Sequence, residues 1–338
     1  MTGFGTAVDA TLDALVVPGF SRIGLAVRSA LLPEFTEGDS PRRLGGKTVI
    51  ITGATSGIGH AAAIALARRG AAVHFLARDQ GRAERARHRI AAASGAAPIS
   101  YGLADLGDLN SVRAFARQFR AAHYRLDVLI HNAGAIHPDF RVGQTGTELT
   151  VAGQVAAPFL LTSLLMPTLL AAAPSRVITV SSGGMYSQRL DPATLQLPAS
   201  RYNGVTAYAR AKRAQVALSR EWARRFTGTG VAFHAMHPGW VDTPGVAAAL
   251  PGFRRLTRPI LLSPGQGADT VVWLATMPPE RLGSGRFWHD RRPRPEHLLP
   301  WTREKDPAAA RKLWDQVAAF TASSGQSSRI SRVDLDRI

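Results

Sequence analysis

Three glycines in seven residues, Gly53, Gly57 and Gly59 of TGATSGIG, separate an apolar run rich in β-branched residues (Thr48 to Thr52) from an Ala/Leu-rich helical pattern. Without Cβ atoms the backbone can turn sharply and approach a diphosphate. The helix that follows points its free N–H groups and the positive end of its dipole at an anion. Further on, Tyr208 and Lys212 stand four apart, on one face of a helix predicted from Thr206 to Phe226. An isolated pair of this kind usually marks a solvated helix face. Its weight here comes from its company: Asn132-Ala133-Gly134, Ser181-Ser182 and Pro238-Gly239 each follow an apolar run. All four groups therefore fall at the C-terminal ends of predicted strands, where open parallel sheets bind ligands.

The elements that must position these residues alternate regularly. A helix over 58–69 is followed by the strand AAVHFLAR, a helix to about Ala93, a strand near PISYG, and a helix from Asn110 to Ala121. LDVLIHNAG is the fourth strand, followed by a long Ala/Leu helix from about Thr147 to Leu170 and by RVITVSS. Next come the Tyr/Lys helix, with Ala214, Leu218, Trp222 and Phe226 on the opposite face, and VAFHAM. Strands separated by helices of this length imply right-handed crossovers. The expected fold is α/β, a Rossmann-type doubly wound parallel sheet of about seven strands in the order 3-2-1-4-5-6-7, in one domain. The domain is expected over 47–290, with a helical N-terminal extension over 1–46, a C-terminal extension with a terminal helix over 291–323, and a disordered tail over 324–338. In the N-terminal extension Phe20, Ile23, Val27 and Leu31 line one helical face, with Arg22 and Arg28 elsewhere. That face is expected to dock on the domain, with membrane-surface contact through residues 20–32 or a protein partner as the alternatives.

Composition narrows the classes. The 338 residues contain no cysteine, which excludes a disulfide framework, a thiolate metal site and a Cys nucleophile. The formal net charge of +17 raises nucleic acid, anionic membrane or an anionic cofactor as partners. The arginines are spread along the chain without a block of like charge, so no nucleic-acid partner is expected. The N-terminus lacks a basic stretch and carries Asp9 and Asp13, unlike a secretory signal. No run is expected to reach the roughly 18 apolar residues of a spanning helix. The expected location is cytoplasmic.

With these motifs in this order, the chain resembles the short-chain dehydrogenase/reductase family over roughly residues 45–290. LARDQ, VITVSSGGM, YARAKRAQV, HPGWVDTPGV and SGRFWHDR look like the subgroup called dehydrogenase/reductase family member twelve. The resemblance implies an NAD(P)-dependent oxidoreductase interconverting a carbonyl and an alcohol, with no metal. Tyr208 would be the acid in reduction and the base in oxidation. Lys212, with the oxidised nicotinamide, would lower the phenol's pKa and would hold the nicotinamide ribose. Ser182 would orient the carbonyl oxygen, with Ser181 as the alternative. Gln154 stands where the family usually has an Asn that supports a water relay to the Lys; a solvated helix residue is the other reading. His131 replaces the first Asn of the usual NNAG and is read as a packing variation.

The resemblance also implies a cofactor site. Thr52, Gly53, Thr55, Ser56, Gly57, Ile58 and Gly59 would surround the diphosphate and adenosine side, and Asp105-Leu106 the adenine. Asn132, Ala133 and Gly134 would line the cofactor, with Tyr208 and Lys212 beside it. Pro238, Gly239, Val241 and Thr243 would cover the nicotinamide. No acidic residue ends the second strand, and Arg78 there can bind a 2′-phosphate, so NADP(H) is expected over NAD(H), with Asp79 turned away. Residues between Ser182 and Tyr208 are expected to form a loop or lid. With Leu250, Pro251, Phe253 and Leu256 this points to a small hydrophobic carbonyl or alcohol as substrate. A homodimer and a homotetramer both stay open. The alternative function is a dinucleotide-binding regulator or scaffold with little turnover.

Overall fold

The computed structural model describes residues 3–36, 44–95, 98–143 and 146–323. The expected disordered tail and most of the polar connector before the first strand lie outside these residues. A sheet in the order β3-β2-β1-β4-β5-β6-β7-β8 forms the centre. Its strands are β1 (Thr48–Thr52), β2 (Ala72–Ala77), β3 (Ile99–Leu103), β4 (Val128–His131), β5 (Ser175–Val180), β6 (Val231–Met236), β7 (Arg286–His289) and β8 (Arg292–Pro293). The first seven pair in parallel, in the expected order, and β8 folds back antiparallel on β7. The eighth strand adds to the expected seven; its two residues follow a tight turn in which Asp290 and Arg291 take positive φ of 48° and 60°.

The two longer helices before the sheet are α1 (Gly3–Ala14) and α2 (Arg22–Leu31), each followed by a single helical turn, Val16–Gly19 and Pro33–Thr36. The crossover helices are α3 (Gly57–Arg68), α4 (Gln80–Ser94), α5 (Leu109–Ala122), α6 (Leu149–Ala171) and α7 (Gly204–Arg225). The short α8 (Pro244–Ala249) and α9 (Pro251–Thr257), then α10 (Pro264–Thr276) and α11 (Ala309–Ser323), complete the chain. One apolar cluster joins β1, β4 and β5 to α5, α6, α7 and α11. The other joins the opposite sheet face to α3, α4 and α10. Helices thus cover both faces, which is why β4 and β5 are buried at every residue and β1 at all but its first, rather than at alternate ones. The expected stripe on α7 packs inward, with Trp222 stacked on Phe233 of β6 at 5.6 Å between ring centroids.

Helix α6 corrects one expectation. Its 23 residues include an 18-residue stretch of mean hydropathy 1.7, long and apolar enough to cross a membrane, yet 72% of that stretch is buried within the fold. A core helix packed between a sheet and neighbouring helices needs the same composition.

The N-terminal extension docks, but only part of the expected face turns inward: Phe20 is buried and Val27 half-buried. Ile23 and Leu31 are 50% and 39% exposed, whereas Gly24 and Arg28 on the other face of α2 are buried. The docking face is built on charge. Arg28 donates Nε to Asp9 Oδ1 at 2.7 Å and Nη1 to Asp290 Oδ2 at 2.7 Å and to Gly19 O at 2.6 Å. Arg294 adds a two-pronged contact to Asp9 at 2.8 and 2.9 Å. A periodicity argument that assigns charges to solvent cannot find such a network, because its partners lie on other elements, Asp290 and Arg294 of them more than 250 residues further on.

Candidate active site

The glycine turn and the loop after β4 are built against each other. Thr52 Oγ1 accepts hydrogen bonds from the N–H groups of Asn132 and Ala133, both at 3.0 Å. Asn132 Nδ2 returns bonds to Thr52 O at 2.9 Å and Gly53 O at 3.2 Å. A Cβ on Gly59 would lie 2.3 Å from Asn132 Nδ2 and 2.5 Å from Gly53 O, so only glycine fits. Gly53 and Gly57 take positive φ of 73° and 59°, and Gly57 faces Thr243. Thr52 and Asn132 are therefore braces of the crevice. Ser56 begins α3 exposed and without a side-chain cap bond, so its hydroxyl does not occupy the helix's first N–H groups. This start of a 12-residue helix fits a diphosphate.

At the tip of β2 Arg78 is exposed, and Asp79 is spent on capping α4, its Oδ1 accepting from Arg82 N at 2.7 Å. Arg89 reaches back from α4 to Thr55 O at 2.9 Å, bringing a second guanidinium to the glycine turn. Asp105 is exposed beside half-buried Leu106, with its Oδ1 accepting from Gly107 N at 2.9 Å. On the other side Gly239 has φ of 77°, and Thr243 caps α8 through Val246 N at 3.2 Å. Pro238 is half-buried. Val241 is buried against α10, so only its backbone is available to a ligand; half-buried Ile58 packs towards the same helix.

The reactive groups converge between β4, β5 and α7. Tyr208 is half-buried and hydrogen-bonded to Ser182. The Lys212 Nζ lies 5.4 Å from the centre of the Tyr208 ring. It donates to Val180 O at 2.9 Å and to Gln215 Oε1 at 3.1 Å. Ser181, the alternative to Ser182, is buried and ties its hydroxyl to Lys212 O at 2.9 Å, a bracket between β5 and α7. Burial pushes the Lys212 ammonium down to about 7. Burial likewise pushes the Tyr208 phenol up, against the opposing hydrogen bond from Ser182. The protein groups alone thus favour the protonated phenol, the form that donates.

Gln154 is 4% exposed, so the solvated reading is excluded. It sits in a one-turn π-bulge, Ala152–Ala156, inside α6, a feature that turns a side chain out of helical register. Its Nε2 donates to Ala135 O at 2.7 Å, while its buried Oε1 has no hydrogen-bond partner among the described residues. A Cβ on Gly134 would lie 3.0 Å from both this Oε1 and Lys212 Nζ, which places amide, ammonium and the loop after β4 together. Sequence reasoning missed Gln215. It is buried, accepts from Lys212 and donates Nε2 to Gln154 O at 2.6 Å, linking the lysine to the π-bulge. Its position one helical turn after Lys212 was the available signal. His131 is a packing residue as expected: it meets Thr162 Oγ1 at 2.8 Å, and burial pushes its pKa to about 3.

The segment between Ser182 and Tyr208 is anchored. Arg213 donates Nε to Gln188 O at 3.0 Å, Arg210 donates to Thr194 O at 2.6 Å, and Leu190 and Leu195 join the core. Helices α8 and α9 leave Leu256 84% exposed, with Phe253 edge-on to Trp240 at 5.1 Å and Arg254 clamped to Asp242 at 2.6 and 3.0 Å. Leu250 is half-buried and Pro251 exposed on the same wall.

A doubly wound sheet with a glycine turn at the start of α3 and a Ser–Tyr–Lys group across the crevice is the architecture of a dinucleotide-dependent oxidoreductase. The chain belongs to the short-chain dehydrogenase/reductase family: the family model for short chain dehydrogenase matches residues 47–251. It is similar to human dehydrogenase/reductase SDR family member 12, 40% identical over 281 residues, which cover 83% of this chain and 88% of that one. Mouse retinol dehydrogenase 14 is 38% identical over 296 residues, 82% of this chain and 86% of that one. Among solved structures, a Beutenbergia cavernae protein assigned as an NAD(P)-dependent gluconate 5-dehydrogenase, with NADP bound, superposes with a TM-score of 0.62 at 28% identity. That match covers 74% of this chain and 97% of that one. The chain is thus an NAD(P)-dependent oxidoreductase acting between CH–OH and carbonyl groups.

Proposed function

We propose that the protein is an NADPH-dependent reductase of small lipophilic carbonyl compounds, with Tyr208 as the proton donor. The observation that carries this reading is the meeting of Tyr208, Ser182 and Lys212 at the C-terminal ends of β4 and β5. When bound, the nicotinamide supplies the hydride. The chain's own part is to hold the carbonyl oxygen between the Ser182 and Tyr208 hydroxyls and to release the phenol's proton to that oxygen as negative charge develops. Lys212 would bind the nicotinamide ribose hydroxyls and offset the phenolate left behind. Gln154, with its unpaired Oε1 facing Lys212, would take the place of an asparagine in supporting a water beside the lysine.

Arg78, with Arg89 at the glycine turn and no carboxylate ending β2, supports NADP(H) over NAD(H). The exposed Leu256 and the Trp240–Phe253 pair support a lipophilic substrate. The test is NADPH consumption with a panel of lipophilic ketones and aldehydes. Turnover of at least one compound is expected. Tight NADPH binding without turnover across the panel would refute the reading in favour of a dinucleotide-binding scaffold.

A further inference from the structure

The N-terminal extension enters the active-site side of the sheet at one corner, Gly19-Phe20. Phe20 is 2% exposed, although it precedes the catalytic domain by more than a helix. Its ring packs on His237 at 4.4 Å, His289 at 5.4 Å and Tyr186 at 6.0 Å between centroids. Its carbonyl accepts from Trp240 N at 2.7 Å, in the loop after β6. Gly19 O accepts from Arg28 Nη1 at 2.6 Å and lies 3.2 Å from His289 Nε2, at the end of β7. Two glycines of the substrate-side loops are shaped around this corner. A Cβ on Gly183, next to Ser182, would lie 2.8 Å from the Phe20 ring, and one on Gly239 would lie 2.8 Å from Phe20 O.

We infer that Phe20 is a positioning residue for the reaction: the Gly19-Phe20 corner is a wedge that fixes both the Ser182 turn and the Pro238–Trp240 loop. The inference rests on the proposed role of Ser182. A tightly bordered ring transmits position because it cannot yield, being enclosed by two imidazoles, a phenol and backbone. The ion network of Arg28, Asp9, Asp290 and Arg294 then has a clear task. It fastens the helices behind the wedge to the β7–β8 hairpin, so that the corner is held from both sides.

The test is a cycle of Phe20→Ala, Gly183→Ala and the double variant, with Phe20→Leu replacing Phe20→Ala should the alanine form fail to fold. Each single change should lower kcat for carbonyl reduction on the order of 10- to 100-fold, as a small misplacement of a catalytic group does. The Kd for NADPH should change less than kcat, since the contacts at the glycine turn are untouched and only the nicotinamide-side loop is loosened. The double variant should be no slower than Gly183→Ala, because removing the ring removes the clash. Effects that multiply as independent changes, or an unchanged kcat in folded Phe20→Ala, would overturn the inference. Hydrogen exchange of the chain with NADPH supplies a readout that needs no turnover. Peptides spanning 183–187 and 238–241 should exchange at least about tenfold faster in the Phe20 variant, while those of β1 stay unchanged. Unaltered exchange would sink the wedge even were no carbonyl substrate found, whereas an inactive wild type with the exchange change present would sink only the reading of Ser182.

Discussion

Replacing Gln215 by leucine perturbs the lysine without touching any atom assigned to substrate. Leucine keeps much of the volume but removes the acceptor 3.1 Å from Lys212 Nζ and the donor 2.6 Å from Gln154 O. Hydrogen bonds to charged groups contribute about 1.5–3 kcal/mol. At about 1.4 kcal/mol per pKa unit this lowers Lys212 by about one to two units, starting from about 7. If the charged lysine is the active form, its fraction at pH 7 falls about five- to fiftyfold. The assay is kcat/KM for NADPH against pH in the reductive direction, which reports groups of the free enzyme. Wild type should lose activity as pH rises through about 7; Gln215→Leu should lose it about one to two units lower. Gln215→Glu, which adds a negative charge beside the ammonium, should move the limb the other way. The stability sign follows from the same shift. The folded protein releases this proton near 7 and the unfolded chain near 10.5, so the group's contribution to stability rises with pH across that window. A limb that stays where it is in both variants would refute the assignment of Gln215 to Lys212.

Two further outcomes follow from the geometry. Arg78→Ala should weaken NADPH by about ten- to a hundredfold and NADH little, and Arg78→Asp should favour NADH; equal wild-type affinities for both cofactors, unchanged by Arg78→Ala, would show that the guanidinium does not serve a phosphate. Arg28→Met should cost about 3–5 kcal/mol in denaturant unfolding by leaving buried aspartates short of a partner. Burial alone would raise Asp9, but Arg294 and Arg28 outweigh it and hold it below its ordinary 3.8. Its stabilisation is therefore present above about pH 4 and lost as pH falls through the lower folded value; an acid limb identical in wild type and Arg28→Met would count against the network.

The alternation of strand and helix was legible because parallel strands buried on both faces are near-continuous apolar runs, as in Val49–Ile51 of β1 and Val128–Ile130 of β4. The glycine turn was legible because a position that needs positive φ, such as Gly53, or has no room for a Cβ, such as Gly59, admits little but glycine. Gln154 was located, but its burial was not, since a π-bulge has no periodic signature. Arg28 was misjudged, and the partners of Phe20, which was expected on the docking face and is buried, were not foreseen, for a common reason. Helical periodicity ranks residues by polarity within one helix, whereas these two are placed by Asp290, His237 and His289, more than two hundred residues away. The exposed Ile23 and Leu31 are what that ranking placed inside.

The central claim is that Tyr208 delivers the proton. It is tested by kcat of wild type and Tyr208→Phe at pH 7 with NADPH and a carbonyl compound that the wild type reduces, alongside NADPH titration of both proteins. The hydroxyl's loss should lower kcat by about 10²- to 10⁴-fold while NADPH affinity is retained. Near-wild-type kcat in Tyr208→Phe would mean that another group protonates the substrate.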